Sequence, residues 1–78
     1  MKINTEYKYF VLNADSGLIV AGNEYKEDAL EVRDEFNEDV PYPNNIYKVH
    51  TAVYLKRLGI DAFNPENWTH KHHIELGI

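Results

Sequence analysis

Residues Asn23 to Val40 combine a single apolar stripe with most of the chain's charge. Tyr25, Ala29, Val32, Phe36 and Val40 recur at steps of three and four, the period of one helix face. The acids Glu24, Glu27, Asp28, Glu31, Glu35 and Glu38 fall on the other side of that period. With Asp34 and Asp39 there are eight acids against Lys26 and Arg33, a local net of −6 in a chain of formal net −5. A helix charged in this way can bury only its stripe, so it must lie on the surface of something apolar. Asn23 is the expected N-cap. Pro41 stops the helix, because the residue before a proline is pushed out of helical geometry. Glu24 and Asp28 suit the positive end of the helix dipole, whereas Glu38 and Asp39 oppose its negative end.

The apolar support is expected from strands. Tyr7 to Leu12 is aromatic and β-branched, with Tyr7, Tyr9 and Val11 on one face and Lys8, Phe10 and Leu12 on the other. Both faces are largely apolar, so this strand reads as central. Asn13-Ala14-Asp15-Ser16-Gly17 reads as a turn. Leu18 to Ala21 then returns as the second strand of an antiparallel hairpin, ended by Gly22. After Pro41-Tyr42-Pro43, Ile46 to His50 is a third strand. Thr51 caps a short helix from Ala52 to Leu58, with an apolar side of Val53, Tyr54, Leu55 and Leu58. Gly59 and Ile60 supply its ending, a glycine past the C-cap and an apolar residue that folds back on Leu55. Asn64-Pro65-Glu66-Asn67 places a cap before a proline and predicts one helical turn presenting Trp68. Phe10, Phe36, Phe63 and Trp68 are the expected aromatic core. Thr69 to Ile78 reads as a short strand, a helical turn or a mobile tail. The expectation is one domain over residues 1–78, of α+β class. Its order is β-β-α-β-α, a small antiparallel sheet with helices packed on one face.

Size and composition bound the function. Seventy-eight residues bury a thin core, and association with a copy or a partner is a common supplement. No cysteine is present, which removes disulfides and thiolate metal sites and fits a cytoplasmic setting. Met1 to Glu6 lacks the apolar segment of a signal peptide, and no apolar run approaches a membrane span. The acidic balance argues against direct nucleic-acid binding, which needs a basic face.

Catalytic and cofactor signals are missing. Ser16 is the only serine and lies in a turn, and the four glycines are isolated rather than grouped as a phosphate loop. The abundant carboxylates lack a recognisable cleft, so no enzyme and no cofactor are expected. His70, His72 and His73 are the candidate metal ligands, since two of them share a face on either a strand or a helix. His50 or Glu75 would be a third ligand. Weighed against this is an exposed, non-functional chain end. The acidic stripe has the same two readings, a solvated face or a contact surface for a basic partner. Its sharpest form, mimicry of a nucleic-acid backbone, is limited by the length of one helix. Six tyrosines exceed what so small a core buries, and Tyr42, between two prolines, is the candidate exposed anchor. An aromatic sheet edge also favours a homodimer.

Tyr9-Phe10-Val11-Leu12-Asn13, Gly22-Asn23-Glu24-Tyr25-Lys26-Glu27-Asp28-Ala29 and Tyr54-Leu55-Lys56-Arg57-Leu58-Gly59-Ile60-Asp61 with Pro65-Glu66-Asn67-Trp68 resemble small uncharacterised proteins of large tailed bacteriophages. The resemblance spreads over most of the chain and carries no functional motif, so no residue roles follow from it. It implies a product made in the host cytoplasm, of a kind that binds and inhibits or redirects a host protein or host defence. The expectation is therefore a non-enzymatic protein-binding module contacting a host or viral protein through Glu27, Glu31, Asp34, Glu35 and Tyr42. The alternatives are a metal- or small-ligand-binding protein using the histidines, and a self-assembling structural protein.

Overall fold

The computed structural model describes residues 3–39 and 46–69. Among them are β1 (Tyr9–Asn13), β2 (Leu18–Asn23), α1 (Lys26–Glu38), β3 (Tyr47–Thr51) and α2 (Ala52–Arg57), followed by a 3-10 turn at Pro65–Asn67. The α+β class, the antiparallel sheet and the β-β-α-β-α order are those expected. β1 is the middle strand, antiparallel to β2 on one side and β3 on the other. No helix among the described residues is long and apolar enough to cross a membrane.

Phe10, Val11 and Leu12 are consecutive and all buried. Neighbouring strand residues point to opposite faces, so this is only achieved when both faces are covered. The two helices do this by taking opposite faces of the sheet, where the sequence pointed to one. Phe10, Leu12, Ile19, Leu55, Ala62 and Trp68, with Ile3, form the main cluster, on the side of α2. Val11, Val20 and Ala29 are buried outside that cluster, on the side of α1. Phe36 of α1 meets Tyr47 of β3 on this second face, with ring centroids 5.0 Å apart. The reason for the split lies at Thr51. It ends β3 and caps α2 in one residue, so α2 turns directly onto the side that His50 faces.

The hairpin holds its turn through Asn13, whose Oδ1 accepts from the N–H groups of Asp15 (2.9 Å) and Ser16 (3.2 Å). Gly17 completes it at φ 74°, in the left-handed region where a side chain is strained. The hydroxyl of Ser16 accepts from the Leu18 N–H. Val11 pairs with Ala21 and Leu12 with Ile19, leaving Val20 as the extra residue of a bulge.

Several local expectations are corrected. Gly22 does not end β2, which runs on to Asn23. Asn23 is therefore no helix cap, since its carbonyl is engaged by the Lys8 N–H at 3.0 Å. The N-cap is Tyr25, which has no side-chain oxygen in reach of the helix and is 63% exposed rather than part of the apolar stripe. Tyr7 lies outside β1 and crosses to the Phe10 side, where its ring packs over Gly22. A Cβ built on Gly22 would stand 2.3 Å from that ring. Phe63 sits at the rim of the core, edge-on to Phe10, and is 38% exposed. Of the four apolar residues of the short helix, only Leu55 is buried.

The second half closes as expected. Thr51 Oγ1 accepts from the Tyr54 N–H, Gly59 adopts φ 84°, and the Ile60 N–H donates to the Leu55 carbonyl at 2.9 Å. Asn64 Oδ1 accepts from the Glu66 N–H, and the turn delivers Trp68 into the cluster. The indole Nε1–H donates to the Ala62 carbonyl at 2.9 Å. Trp68 also forms a single parallel bridge to Ile19, extended by the Thr69 N–H donating to the Ile19 carbonyl.

Candidate interaction surface

A helix turns about 100° per residue, so positions on α1 can be placed from its one buried residue, Ala29. Glu27, Glu31, Asp34 and Glu38 then fall within about 40° of the opposite, outward direction. Glu35 and Asp28 extend that face on one side. All six are exposed. Of the expected contact residues, Glu27, Glu31, Asp34 and Glu35 are thus brought together on one rigid face. Tyr42 lies outside the described residues, as do His70, His72 and His73.

Charge on this face is largely uncompensated. Among the described residues one ion pair forms, Arg33 to Asp34 at 2.8 Å, between adjacent residues. An exposed pair of this kind contributes little to stability. Its effect is to neutralise one carboxylate and leave the remaining acids of the face unpaired among the described residues. Clustered like charges of this kind project a negative field that steers a cationic surface toward it.

The inward side of α1 differs. Leu30, Arg33 and Asn37, with Asp34 and Glu38 from the border of the acidic face, line an open groove of about 700 Å³ against Tyr47, Lys48 and Val49 of β3. Both basic residues of the helix, Lys26 and Arg33, line it. Asn37 closes one end with its side-chain amide. Its Oδ1 accepts from the Tyr47 N–H at 3.0 Å and its Nδ2 donates to the Tyr47 carbonyl at 3.3 Å. The amide thus satisfies both groups as a neighbouring strand would. Sequence reading did not single out Asn37. The available signal was its position, about 80° from Ala29 and inside the arc that faces the sheet.

On the opposite face of the sheet, α2 exposes Val53 (65%), Tyr54 (47%) and Leu58 (54%) beside Lys56 and Arg57. A smaller, mainly apolar recess of about 550 Å³ lies between α2 and the segment Ile60 to Phe63. His50 stacks on Tyr54 with centroids 4.5 Å apart. Burial, and secondarily the positive charge of Lys48, lowers its pKa from the usual 6.5. No group of three His, Cys, Asp or Glu side chains suited to a metal occurs among the described residues.

No family model matches the chain, and neither a curated protein nor a solved structure matches it.

Proposed function

We propose that this protein is a non-enzymatic binding module whose contact surface is the outer face of α1, taken by a protein with a basic surface. The observation that supports this reading is the exposed, largely unpaired row of Glu27, Glu31, Glu35 and their neighbours on a helix held rigidly against a sheet. Rigidity matters because a preorganised face loses little side-chain and backbone freedom on binding. Asn37 and Phe36, both bonded or stacked to Tyr47, provide that anchoring from the helix's inner side. The resemblance to bacteriophage proteins directs the search to bacterial partners, and inhibition or redirection of a host protein in its cytoplasm is the role such a module would fill.

The test is affinity capture from a bacterial lysate with the wild-type protein and with Glu27→Lys, Glu31→Lys, Glu35→Lys combined. The expected result is one stoichiometric partner that is retained by the wild type, weakened by high salt and lost from the triple variant. Circular dichroism checks that the variant keeps its helix content. Retention of the same partner by a folded triple variant overturns the acidic-face reading.

A further inference from the structure

We infer that the recess between α2 and residues 60–63 is a self-association site, closed by the same recess of a second copy about a two-fold axis. Of the five large apolar side chains exposed among the described residues, four lie from Val53 to Phe63. Apolar surface gathered in this way is the signature of a contact site. Val53 and Phe63 border the recess of about 550 Å³, over a floor of Ala52, Ile60 and Ala62 that packs on the main cluster. Lys56 and Asp61 border it too. They have opposite charge, yet neither belongs to an ion pair among the described residues. The sheet edge at β3 offers no equivalent, because Asn37 already holds both backbone groups of Tyr47.

The course of the chain places these residues in two matched rows. α2 forms one wall of the recess and runs from Ala52 to Arg57. Gly59 at φ 84° reverses the chain, the Ile60 N–H returns to the Leu55 carbonyl, and residues 60–63 run back along the helix as the other wall. Lys56 and Asp61 therefore stand near one end of the recess. Phe63 stands toward the other end with Val53, since its ring meets Phe10, whose strand partner His50 directly precedes the Thr51 cap. A two-fold axis along the recess exchanges the walls and keeps the ends. α2 of each copy then faces residues 60–63 of the other. Lys56 meets Asp61 of the other copy, and Val53 meets Phe63 of the other copy. Each contact occurs twice, as an interface between identical patches requires. A second copy is the occupant that answers both charges, whereas a uniformly acidic or basic partner would match one and oppose the other. A core as thin as that of a 78-residue chain also gains from covering these side chains. α1 lies across the sheet from this contact, so the dimer would present its two acidic faces outward on opposite sides.

Sedimentation equilibrium over a concentration series, near physiological salt, tests this on the full chain. The expected result is reversible association to twice the 9.1 kDa of one chain. Lys56→Glu should weaken association at least about tenfold, because carboxylates then meet at both symmetry-related contacts. Asp61→Lys should do the same by bringing cations together. Mixing these two variants should restore a dimer, since both contacts in the mixed pair join opposite charges. That rescue separates loss of the contact from loss of the fold, and circular dichroism checks that each variant keeps its helix content. Asp61 Oδ1 also accepts from the Phe63 N–H at 2.9 Å, a turn bond that Asp61→Lys removes. Val53→Glu is therefore the independent variant. It changes an exposed residue in the first turn of α2, where an acid suits the helix dipole, and should abolish association by setting a charge against Phe63. A monomer up to about 1 mM, the weak end of specific association, overturns the proposal. So does a dimer that Lys56→Glu or Val53→Glu leaves intact, or a mixture of the two folded charge variants that stays monomeric.

Discussion

The two helices lie on opposite faces of one sheet and are stabilised in opposite ways. α2 has only six residues, but both its ends are closed: by the Thr51 hydroxyl at the start, and by Gly59 and the Ile60-to-Leu55 hydrogen bond at the finish. It also contributes Leu55, fully buried, to the main apolar cluster among the described residues. α1 has thirteen residues, no side-chain cap, no base in its last turn, and one small fully buried side chain, Ala29. A short helix has too few internal hydrogen bonds to tolerate open ends, whereas a long one can rely on its length and on lateral contacts. α1 relies on Phe36 and Asn37 against β3, and this leaves its outer face unconstrained by the fold. The face with the least packing is thus the one available for charge.

The sharpest way to break the comparison is to remove one core side chain from each helix. Leu55→Ala should cost about 3 kcal/mol, a large part of the few kcal/mol that a chain this small holds. Val32→Ala, at a half-buried position on α1, should cost about 1 kcal/mol. Urea denaturation of the two variants measures the difference, and equal losses would mean the two faces are equally packed. The helix ends provide the next contrast. Gly59→Ala forces a Cβ into left-handed geometry and should destabilise by about 1 kcal/mol. Tyr25→Asp should do the reverse and stabilise by about 0.5–1 kcal/mol, because it supplies the missing cap at a residue already in extended geometry. The smallest effect concerns His50. Its lowered pKa means that the folded state disfavours the proton. The stabilisation is complete above pH 6.5 and declines as pH falls from there to the lowered folded value. Thermal unfolding of His50→Gln beside the wild type at about pH 7.5 and about pH 5.5, on either side of the ordinary histidine pKa, should show a smaller acid loss in the variant.

Much of the second half was legible because its signals are local. Thr51, Gly59 and the Asn64-Pro65 pair each act on backbone groups within a few residues, and the structure uses all of them as the sequence indicates. The acidic face was legible for a similar reason, since the helical period alone separates Glu27, Glu31 and Glu35 from Ala29. The misreadings arose where distant segments decide the outcome. Whether Tyr7 continues β1 depends on Gly22, far along the chain, which leaves room for its ring. Whether the helices share a face depends on how α2 leaves Thr51. Asn23 carries a good cap side chain, yet the ladder with β1 claims its backbone first. The groove between α1 and β3 could not be read locally, because its defining contact joins Asn37 to Tyr47 across the connection between two elements.

The packing of Trp68 has an optical consequence. It is the only indole in the chain, and it stacks on Tyr7 with centroids 6.3 Å apart and meets Phe10 edge-on at 6.1 Å. Its emission should be blue-shifted in the native protein and move to the red when the cluster beneath α2 opens to water. Loosening of α1, on the far side of the sheet, would leave that colour unchanged. Fluorescence alone would therefore report the stability of one side only, and far-ultraviolet circular dichroism is needed beside it to follow the acidic helix.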